Sequence, residues 1–399
     1  MNRRNFLQVS GMGSLPLVAG GWSGLAGYAG TAEAQAAGKL PEGKVIVSFA
    51  RDGPGFTPAE YLARLQEINQ AKPIEPDFYA EHGAVDALLK KFMEITGKEA
   101  AIYMPSGTLA NQLAIQVLSR GNPKVFVQET SHVYRDEGDA AQSIYGKRLI
   151  PLAKGGFAFT LEELQKEVDY AEKGEYFATG IGALSIEIPV RRSNFQVFPI
   201  EDLKKISAWW REKGYKLHLD GARIHLASAW SGVSVRDYSA LFDTVYICLY
   251  KYLGASSGAV LCGSKEMIEP MTHLVKVHGG SMYQNWTNAA MALHQLDGIE
   301  LRLQATREKA DKLFDALNTI PGIKVHPVPN GCNLFHLRTD KGVDGKALAK
   351  LLAEKDAIRM PFPDELDGAI HLHVNESLLL RDNDSIVAAF KAAVPKDKA

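Results

Sequence analysis

Cysteine and net charge are both scarce in this chain of 399 residues, and each scarcity excludes a class of protein. The three cysteines, Cys248, Cys262 and Cys332, are too few for a disulfide scaffold, and their spacing fits no zinc motif. Lysine and arginine number 45 against 46 aspartates and glutamates, so the net charge of −1 gives no basic surface for nucleic acid. Beyond the N-terminus, no run is long and apolar enough to span a bilayer. These proportions are typical of a globular protein with room for one large domain and a smaller one.

The first 36 residues resemble an export signal rather than part of the fold. Arg3 and Arg4 precede a glycine-rich, charge-free run that ends at Glu33, and small residues follow. This pattern is typical of a twin-arginine signal that is cleaved near Ala34 or Ala36. An uncleaved membrane anchor is the alternative, although many glycines make a poor spanning helix. We therefore expect a periplasmic or otherwise extracytoplasmic protein that uses the twin-arginine machinery and has no membrane attachment after cleavage.

Strands and helices alternate along the middle of the sequence. Between residues 85 and 290, apolar β-branched runs alternate with helical patterns, which predicts an α/β fold with a doubly wound, mostly parallel sheet. The predicted strands there are 100–104, 125–127, 183–188, 216–219, 244–249 and 259–262, and the helices are 84–96, 108–118, 161–170, 200–213 and 288–297. We expect a large domain with an N-terminal arm over residues 37–298 and a smaller C-terminal α+β domain over residues 299–399.

The first of three candidate sites is an anion site at a helix start. Ligands of such a sheet bind beyond the carboxyl ends of its strands, and Ser106, Gly107 and Thr108 follow a strand there and open a helix. Gly107 allows a tight turn and a close approach to a ligand. The free N–H groups of the first turn and the two hydroxyls then offer a phosphate site. A helix N-cap without a ligand is the alternative.

The second candidate is Asp220, where the strand of residues 216–219 stops. The apolar residues before it predict a partly buried carboxylate, which needs a cationic partner. Arg223 is close in sequence, so a simple ion pair is one interpretation. The other is that Asp220 holds a proton on a heterocyclic nitrogen, while Arg223 faces a phenolic oxygen or a substrate carboxylate.

The third candidate is Lys251, which follows an apolar strand and precedes a turn at Gly254. Desolvation there favours the neutral, nucleophilic amine, although a solvated lysine is the plain alternative. Together the three candidates fit pyridoxal 5'-phosphate, which we expect as the cofactor. Its phosphate binds at the helix start, the carboxylate keeps the pyridine nitrogen protonated, and the lysine forms the Schiff base.

These segments resemble the threonine aldolase and β-eliminating lyase family of fold-type-I pyridoxal phosphate enzymes. The most specific part is Asp220-Gly221-Ala222-Arg223 with Lys251-Tyr252-Leu253-Gly254-Ala255 downstream, and similarity runs from about residue 77 to 317. The resemblance implies an aspartate-aminotransferase-like fold and a homodimer or homotetramer. It also implies that Lys251, Asp220 and His132 are catalytic, with His132 stacked on the pyridine ring. The cofactor-binding residues that it implies are Ser106, Gly107, Thr108, His132, Asp220, Arg223 and Lys251.

The chain departs from this family on the substrate side. The family's early segment is not recognisable in residues 47–52, the stretch at 187–192 differs, and Tyr250 replaces a serine. His371 stands where an arginine that binds the substrate carboxylate is expected. The predicted substrate-binding residues are therefore Arg223 and His371. Neutral imidazole binds a carboxylate more weakly than a bidentate guanidinium.

No metal site is predicted from the histidines. His371 and His373 share one face of a strand by their spacing, and His225 and His278 are further candidates. However, no carboxylate or thiolate partner set is visible in the sequence.

The expected activity is that of a pyridoxal-phosphate-dependent lyase, which cleaves a β-hydroxy amino acid to glycine and an aldehyde. β-Elimination, racemisation or transamination on the same scaffold remain open, and so does a periplasmic binding protein without turnover. The general base is also open among His132, Glu137, His225 and water.

Overall fold

The structure is a computed structural model, and it describes residues 44–50, 52–53 and 55–395. The predicted export signal at residues 1–36 lies outside the described residues. Among the helices that the structure describes, none has the length and hydropathy that a bilayer crossing needs.

Twelve strands form three sheets in the described part of the chain. In chain order they are β1 (Val47–Ser48), β2 (Ala100–Met104), β3 (Lys124–Gln128), β4 (Arg148–Leu152), β5 (Ile181–Glu187), β6 (Lys216–Asp220), β7 (Thr244–Cys248), β8 (Ala259–Gly263), β9 (Ile323–Pro327), β10 (Leu334–Thr339), β11 (Ile358–Arg359) and β12 (Ile370–His373).

Helices connect most of the strands. They cover Pro58–Ala71, Gly83–Thr96, Gly107–Leu118, His132–Arg135, Ala140–Tyr145, Leu161–Lys173, Ile200–Glu212, Ile224–Ser231, Val235–Ala240, Lys265–Ile268, Met271–Val277, Trp286–Leu296, Ile299–Leu317, Gly345–Asp356 and Asn383–Ala393, with 3-10 turns at Arg191–Ser193 and Glu376–Leu380.

Helix Leu161–Lys173 illustrates how local sequence determines an element. Thr160 caps its start by accepting a hydrogen bond from the backbone N–H of Glu163. Leu164, Val168 and Ala171 then recur at helical spacing and are buried, while the opposite face is charged. The helix therefore lies on the sheet along one apolar stripe.

The large sheet has the strand order β2-β8-β7-β6-β5-β3-β4. Neighbouring strands are parallel from β7 to β4, and β8 is antiparallel to both of its neighbours, β2 and β7. This topology confirms the predicted doubly wound, mostly parallel sheet. Both faces are covered: Val245 and Ile247 pack into one core, and Tyr246 and Cys248 into another.

A smaller unit is built on the antiparallel sheet β12-β10-β9. Its core also contains Val47 and Phe49, because β1 pairs in parallel with β11. Residues 47–49 thus pack with the C-terminal part of the chain, although the sequence-based division placed them in the large domain. Apolar side chains in the arm find their partners some 300 residues away, which local pattern does not reveal. Helix Ile299–Leu317 joins the two units, since its start packs in the large core and its end in the small one.

Strand direction determines where the polar groups meet. The carboxyl ends of β2, β3, β5, β6 and β7 lie at one edge of the large sheet, because these strands share a direction. The segments that follow these five strands carry the candidate residues of the sequence analysis.

Candidate active site

A narrow cleft lies at the carboxyl edge of the large sheet, and most of the predicted site residues line it. Its wall contains three carboxylates and three basic side chains, which is an unusual density of charge for so buried a place. The lining residues are Ser106, Gly107, Thr108, His132, Glu137, Glu187, Pro189, Asp220, Ala222, Arg223, Tyr246, Tyr250 and Lys251.

The N-terminus of helix Gly107–Leu118 opens into this cleft. The Ser106 side chain accepts a hydrogen bond from the backbone N–H of Leu109 and so acts as the N-cap. A Cβ at position 107 would lie 2.1 Å from the hydroxyl oxygen of Tyr246, so only glycine fits there. The first-turn N–H groups have no acceptor within the helix, which makes this end suitable for an anion.

Asp220 is the most informative residue of the cleft. It is 2% exposed and lies opposite Glu187 in the register of β5 and β6. Its two carboxylate oxygens accept hydrogen bonds from Asn111 Nδ2 at 2.9 Å and from the backbone N–H of Ala222 at 3.2 Å. Among the described residues, no basic side chain forms an ion pair with it. A buried carboxylate without a cation is costly, so the site is built to receive positive charge here.

Asn111 holds a chain of buried polar groups behind Asp220. Its amide also donates to Glu137 Oε1 at 2.7 Å, and its carbonyl lies 2.9 Å from Nε2 of His218. The other nitrogen of His218 lies 2.9 Å from the hydroxyl of Thr244. Burial lowers the pKa of His218 to about 4, so this imidazole is neutral and donates to the Asn111 carbonyl. This series of hydrogen bonds fixes the orientation of the Asp220 carboxylate.

His132 lies against two further carboxylates. Its Nδ1 is 3.0 Å from Glu137 Oε1, and its backbone N–H donates to Glu187 Oε2 at 2.6 Å. Burial opposes charge on His132, but the bond to Glu137 and the charges of Asp220 and Glu187 outweigh it and raise the pKa. Burial also raises the pKa of Glu137 and Glu187. All three shifts favour the protonated form of the side chain.

Arg223 pairs with Asp52 and not with Asp220. Its Nε donates to Asp52 Oδ1 at 3.1 Å, its Nη2 donates to Oδ2, and its guanidinium lies over the Phe195 ring at 5.0 Å. Burial disfavours a charged Asp52, but Arg223 outweighs it and lowers the pKa of that carboxyl well below its ordinary value. Tyr252 also donates to Asp52 Oδ1, at 3.1 Å. The local ion pair considered from the sequence is therefore absent.

Lys251 combines burial with a nearby cation. It is 9% exposed, and burial followed by the charge of Arg223 lowers the pKa of its amine. Its Nζ lies 5.8 Å from the centre of the Tyr250 ring. A depressed amine pKa raises the fraction of neutral, nucleophilic lysine at neutral pH.

The structure brings seven predicted residues to the cleft and leaves one outside it. Those at the cleft are Ser106, Gly107, Thr108, His132, Asp220, Arg223 and Lys251. His371 does not line it; its Nε2 lies 3.2 Å from Asp367 Oδ2, and its ring stacks on His336. His371 projects from the face of β12 opposite to the core residues Ile370 and Leu372. His373, two residues further along, packs edge-on against Phe195 and faces the pair of Asp52 and Arg223.

Three residues of the site were missed in the sequence: Asp52, Asn111 and Glu187. Glu187 is the last residue of β5, as Asp220 is of β6, and a carboxylate near the end of the predicted strand 183–188 was the available signal. Asn111 sits one helical turn after Gly107, on the buried face, where an amide is uncommon. Asp52 had no local signal, because its partner Arg223 is 171 residues away.

Comparisons with known proteins identify the family of this chain. The sequence profile of the beta-eliminating lyase family matches residues 63–339. The low-specificity L-threonine aldolase of Candida albicans is 31% identical over 71% of this chain and 75% of its own length. The chain belongs to the beta-eliminating lyase family.

Further similarities support the same family. The low-specificity L-threonine aldolase of Saccharomyces cerevisiae is 33% identical over 62% of this chain and 63% of its own length. A solved structure of a candidate L-allo-threonine aldolase from Listeria monocytogenes EGD-E superposes with a TM-score of 0.74. It covers 92% of this chain and 99% of its own, at 21% identity, so that likeness concerns the fold.

His225, one of the candidate bases, is buried away from the residues that line the cleft. Neither ring nitrogen has a hydrogen-bond partner in the described part of the chain, and burial lowers its pKa to about 4. Unfolded histidine has a pKa of about 6.5, so the unfolded chain binds more protons between these values. Stability is therefore lost as pH falls from about 6.5 to 4, by about 3 kcal/mol for this one group.

Replacement of His225 by leucine should remove this contribution. We expect His225→Leu to raise the free energy of unfolding by about 1 kcal/mol at neutral pH, since no polar atom is left unpaired. The decrease in the free energy of unfolding between pH 7 and 4.5 should also be smaller in His225→Leu than in the parent, as measured by urea unfolding at both pH values. His273→Leu, at an exposed position, is the control. If the free energy of unfolding of His225→Leu decreases as much as that of the parent, His225 is not the source of this pH dependence.

Proposed function

We propose that this member of the beta-eliminating lyase family is a pyridoxal-phosphate-dependent lyase that cleaves β-hydroxy amino acids to glycine and an aldehyde. The observation that carries the proposal is the buried carboxylate of Asp220, which forms no ion pair with a described basic side chain and lies in one cleft with an amine of lowered pKa. The names of the relatives, low-specificity L-threonine aldolases, support the substrate class.

The residues of the cleft fit pyridoxal phosphate part by part. The helix start at Ser106, Gly107 and Thr108 would bind the phosphate through N–H and hydroxyl groups. Asp220 would accept a hydrogen bond from the protonated pyridine nitrogen, which supplies the missing cation. Lys251 would hold the aldehyde carbon covalently. When bound, the cofactor withdraws electrons from the bond that breaks at the α-carbon of the amino acid.

The chain's own residues hold this arrangement in place. Asn111 orients Asp220 through a 2.9 Å hydrogen bond, and neutral His218 orients Asn111. Asp52 neutralises Arg223 and fixes its plane, since two parallel N–H bonds define the geometry of a guanidinium. Burial, and after it the charge of Arg223, lowers the pKa of the Lys251 amine.

His132 and Glu137 form the proton-holding pair of the cleft. They share a 3.0 Å contact, and both side chains line the cavity. A hydrogen-bonded imidazole and carboxylate can together take a proton from a β-hydroxyl and return it. We assign the general base to this pair and not to His225, which does not line the cavity.

Product analysis tests the proposed reaction. The purified full chain, incubated with L-threonine and other β-hydroxy amino acids, should release glycine and an aldehyde in equal amounts. Detection of a keto acid, a substrate with inverted stereochemistry or a pyridoxamine product would show that the protein catalyses another reaction of the same cofactor and not aldol cleavage. A spectral change without any product would indicate a binding protein.

Replacement of Lys251 tests the cofactor attachment. Lys251→Ala should abolish the visible absorbance of bound cofactor and lower turnover at least about 1,000-fold, or about 4 kcal/mol. Lys98→Ala is a matched control, because burial also lowers the pKa of Lys98 but its amine donates to Phe242 O outside the cleft. A yellow, active Lys251→Ala protein would refute the assignment.

Replacement of Asn111 tests the orientation of Asp220. Asn111→Leu keeps the branched shape but removes both donated hydrogen bonds, so we expect a loss of kcat of about 10- to 100-fold. The pH titration of the bound cofactor's ring nitrogen, followed by the ¹⁵N chemical shift of labelled cofactor, should also move to lower pH, because Asp220 holds the ring proton less well. Asn122→Leu, which breaks a hydrogen bond to Ile181 O, should leave that titration unchanged. An unshifted titration in Asn111→Leu would show that Asn111 has a packing role only.

We also propose that the protein is exported by the twin-arginine route. Support comes from the sequence alone: Arg3 and Arg4 before a charge-free, glycine-rich run. Replacement of both Arg3 and Arg4 by lysine should leave the precursor in the cytoplasm, as cell fractionation would measure. Equal extracytoplasmic yields of the parent and the double variant would contradict export by the twin-arginine route.

The proposal also includes a homodimer or homotetramer. Support comes from the family resemblance and from an exposed aromatic cluster of Phe78, Tyr79 and Tyr283, whose rings contact one another. Exposed apolar clusters of this kind often mark interfaces between proteins. Light scattering after size-exclusion chromatography should give a mass of at least two chains, and a monomer mass would refute this part.

A further inference from the structure

Apart from the active-site cleft, a group of side chains that can bind metal lies on the small sheet. On β10 and β12, His336 and His371 are directly opposite in the antiparallel register, and His326 on β9 is opposite His336 on the other side. Residues directly opposite in a sheet project from the same face. The alternate residues of β10, such as Phe335 and Leu337, enter the core, so the histidines lie on the other face.

Two of these histidines meet a carboxylate. We call His336, Asp367 and His371 the histidine cluster. The imidazole rings stack with centroids 4.6 Å apart and planes at 19°, and Nε2 of His371 lies 3.2 Å from Asp367 Oδ2. One potential ligand atom from each of the three side chains falls within 4.8 Å of the others.

The cluster contains an unsatisfied nitrogen. Nε2 of His336 is buried and has no hydrogen-bond partner among the residues that the structure describes. Buried ring nitrogens are ordinarily hydrogen-bonded or bound to a metal. Arg338 approaches Asp367 to 4.0 Å, but it is half exposed, so this ion pair contributes little and satisfies neither histidine.

We propose that the histidine cluster is a binding site for a divalent transition-metal ion of the zinc class. Two imidazole nitrogens and one carboxylate oxygen form a common zinc ligand set, and water or His326 would complete a tetrahedron. Ligand atoms 2.0–2.1 Å from zinc lie about 3.3 Å apart in a tetrahedron. The 3.2 Å separation in the pair of His371 and Asp367 matches this spacing.

The choice of metal follows from the donor atoms. Imidazole nitrogen favours Zn²⁺, Co²⁺, Ni²⁺ and Cu²⁺, whereas Mg²⁺ and Ca²⁺ prefer sites made of oxygen alone. None of the three residues lines the active-site cleft, so this site is distinct from it. Asp367 is partly exposed, which gives an ion a path from solvent.

Metal titration of the full chain saturated with pyridoxal phosphate tests the proposal. Saturation matters because His132, Glu137 and Asp220 also group within 4.8 Å, and the cofactor would cover them. After chelator treatment, we expect one equivalent of Zn²⁺ by calorimetry and elemental analysis. Co²⁺ should give the visible absorption of a tetrahedral site, and Mg²⁺ should give no heat of binding.

Variants locate the binding. His336→Asn, His371→Asn and Asp367→Asn should each weaken Zn²⁺ binding at least about tenfold, since each removes one of three ligands. His82→Asn is the matched control: His82 also faces an aspartate, Asp86, at 3.8 Å, but the pair is exposed and groups with no third ligand among the described residues. Circular dichroism checks that each variant folds. Absence of stoichiometric Zn²⁺ binding, or equal affinity in the parent and all three cluster variants, would overturn the proposal.

Discussion

The candidate site depends on one unbalanced charge, the buried carboxylate of Asp220. It has two hydrogen-bond donors and, in the described part of the chain, no basic partner. Burial of an unpaired carboxylate costs free energy, so the protein must hold the group in place and then receive a cation beside it. Asn111 and His218 hold it in place, and in the function that we propose the protonated nitrogen of pyridoxal phosphate would supply the cation.

The same charge influences the groups around it. Glu187 lies opposite Asp220 in the sheet, and its pKa rises through burial and this neighbouring charge. His132 gains a proton more readily for a related reason, whereas Lys251 loses one more readily because it is buried beside Arg223. One cleft therefore contains groups whose pKa is raised and an amine whose pKa is lowered. Acid–base chemistry on an amino acid needs both.

Sequence reasoning reached the parts of the site that local pattern determines. Asp220 and Lys251 follow apolar strands, and Ser106 begins a helix, so each was identified from its own neighbours. The rest depends on contacts between distant segments. Asp52 meets Arg223 across 171 residues, and Asn111 meets Asp220 across 109. Spacing along a strand placed His371 and His373 on one face, but only the packing of the small unit shows that His373 faces Arg223.

The most direct test of this account is the protonation state of the cofactor's ring nitrogen. Pyridoxal phosphate labelled with ¹⁵N at that position, bound to the full chain, reports protonation through its NMR chemical shift. We expect a protonated ring nitrogen at neutral pH in the parent and an unprotonated one in Asp220→Ala. An unprotonated nitrogen in the parent, or an unchanged shift in Asp220→Ala, would show that Asp220 does not hold this proton.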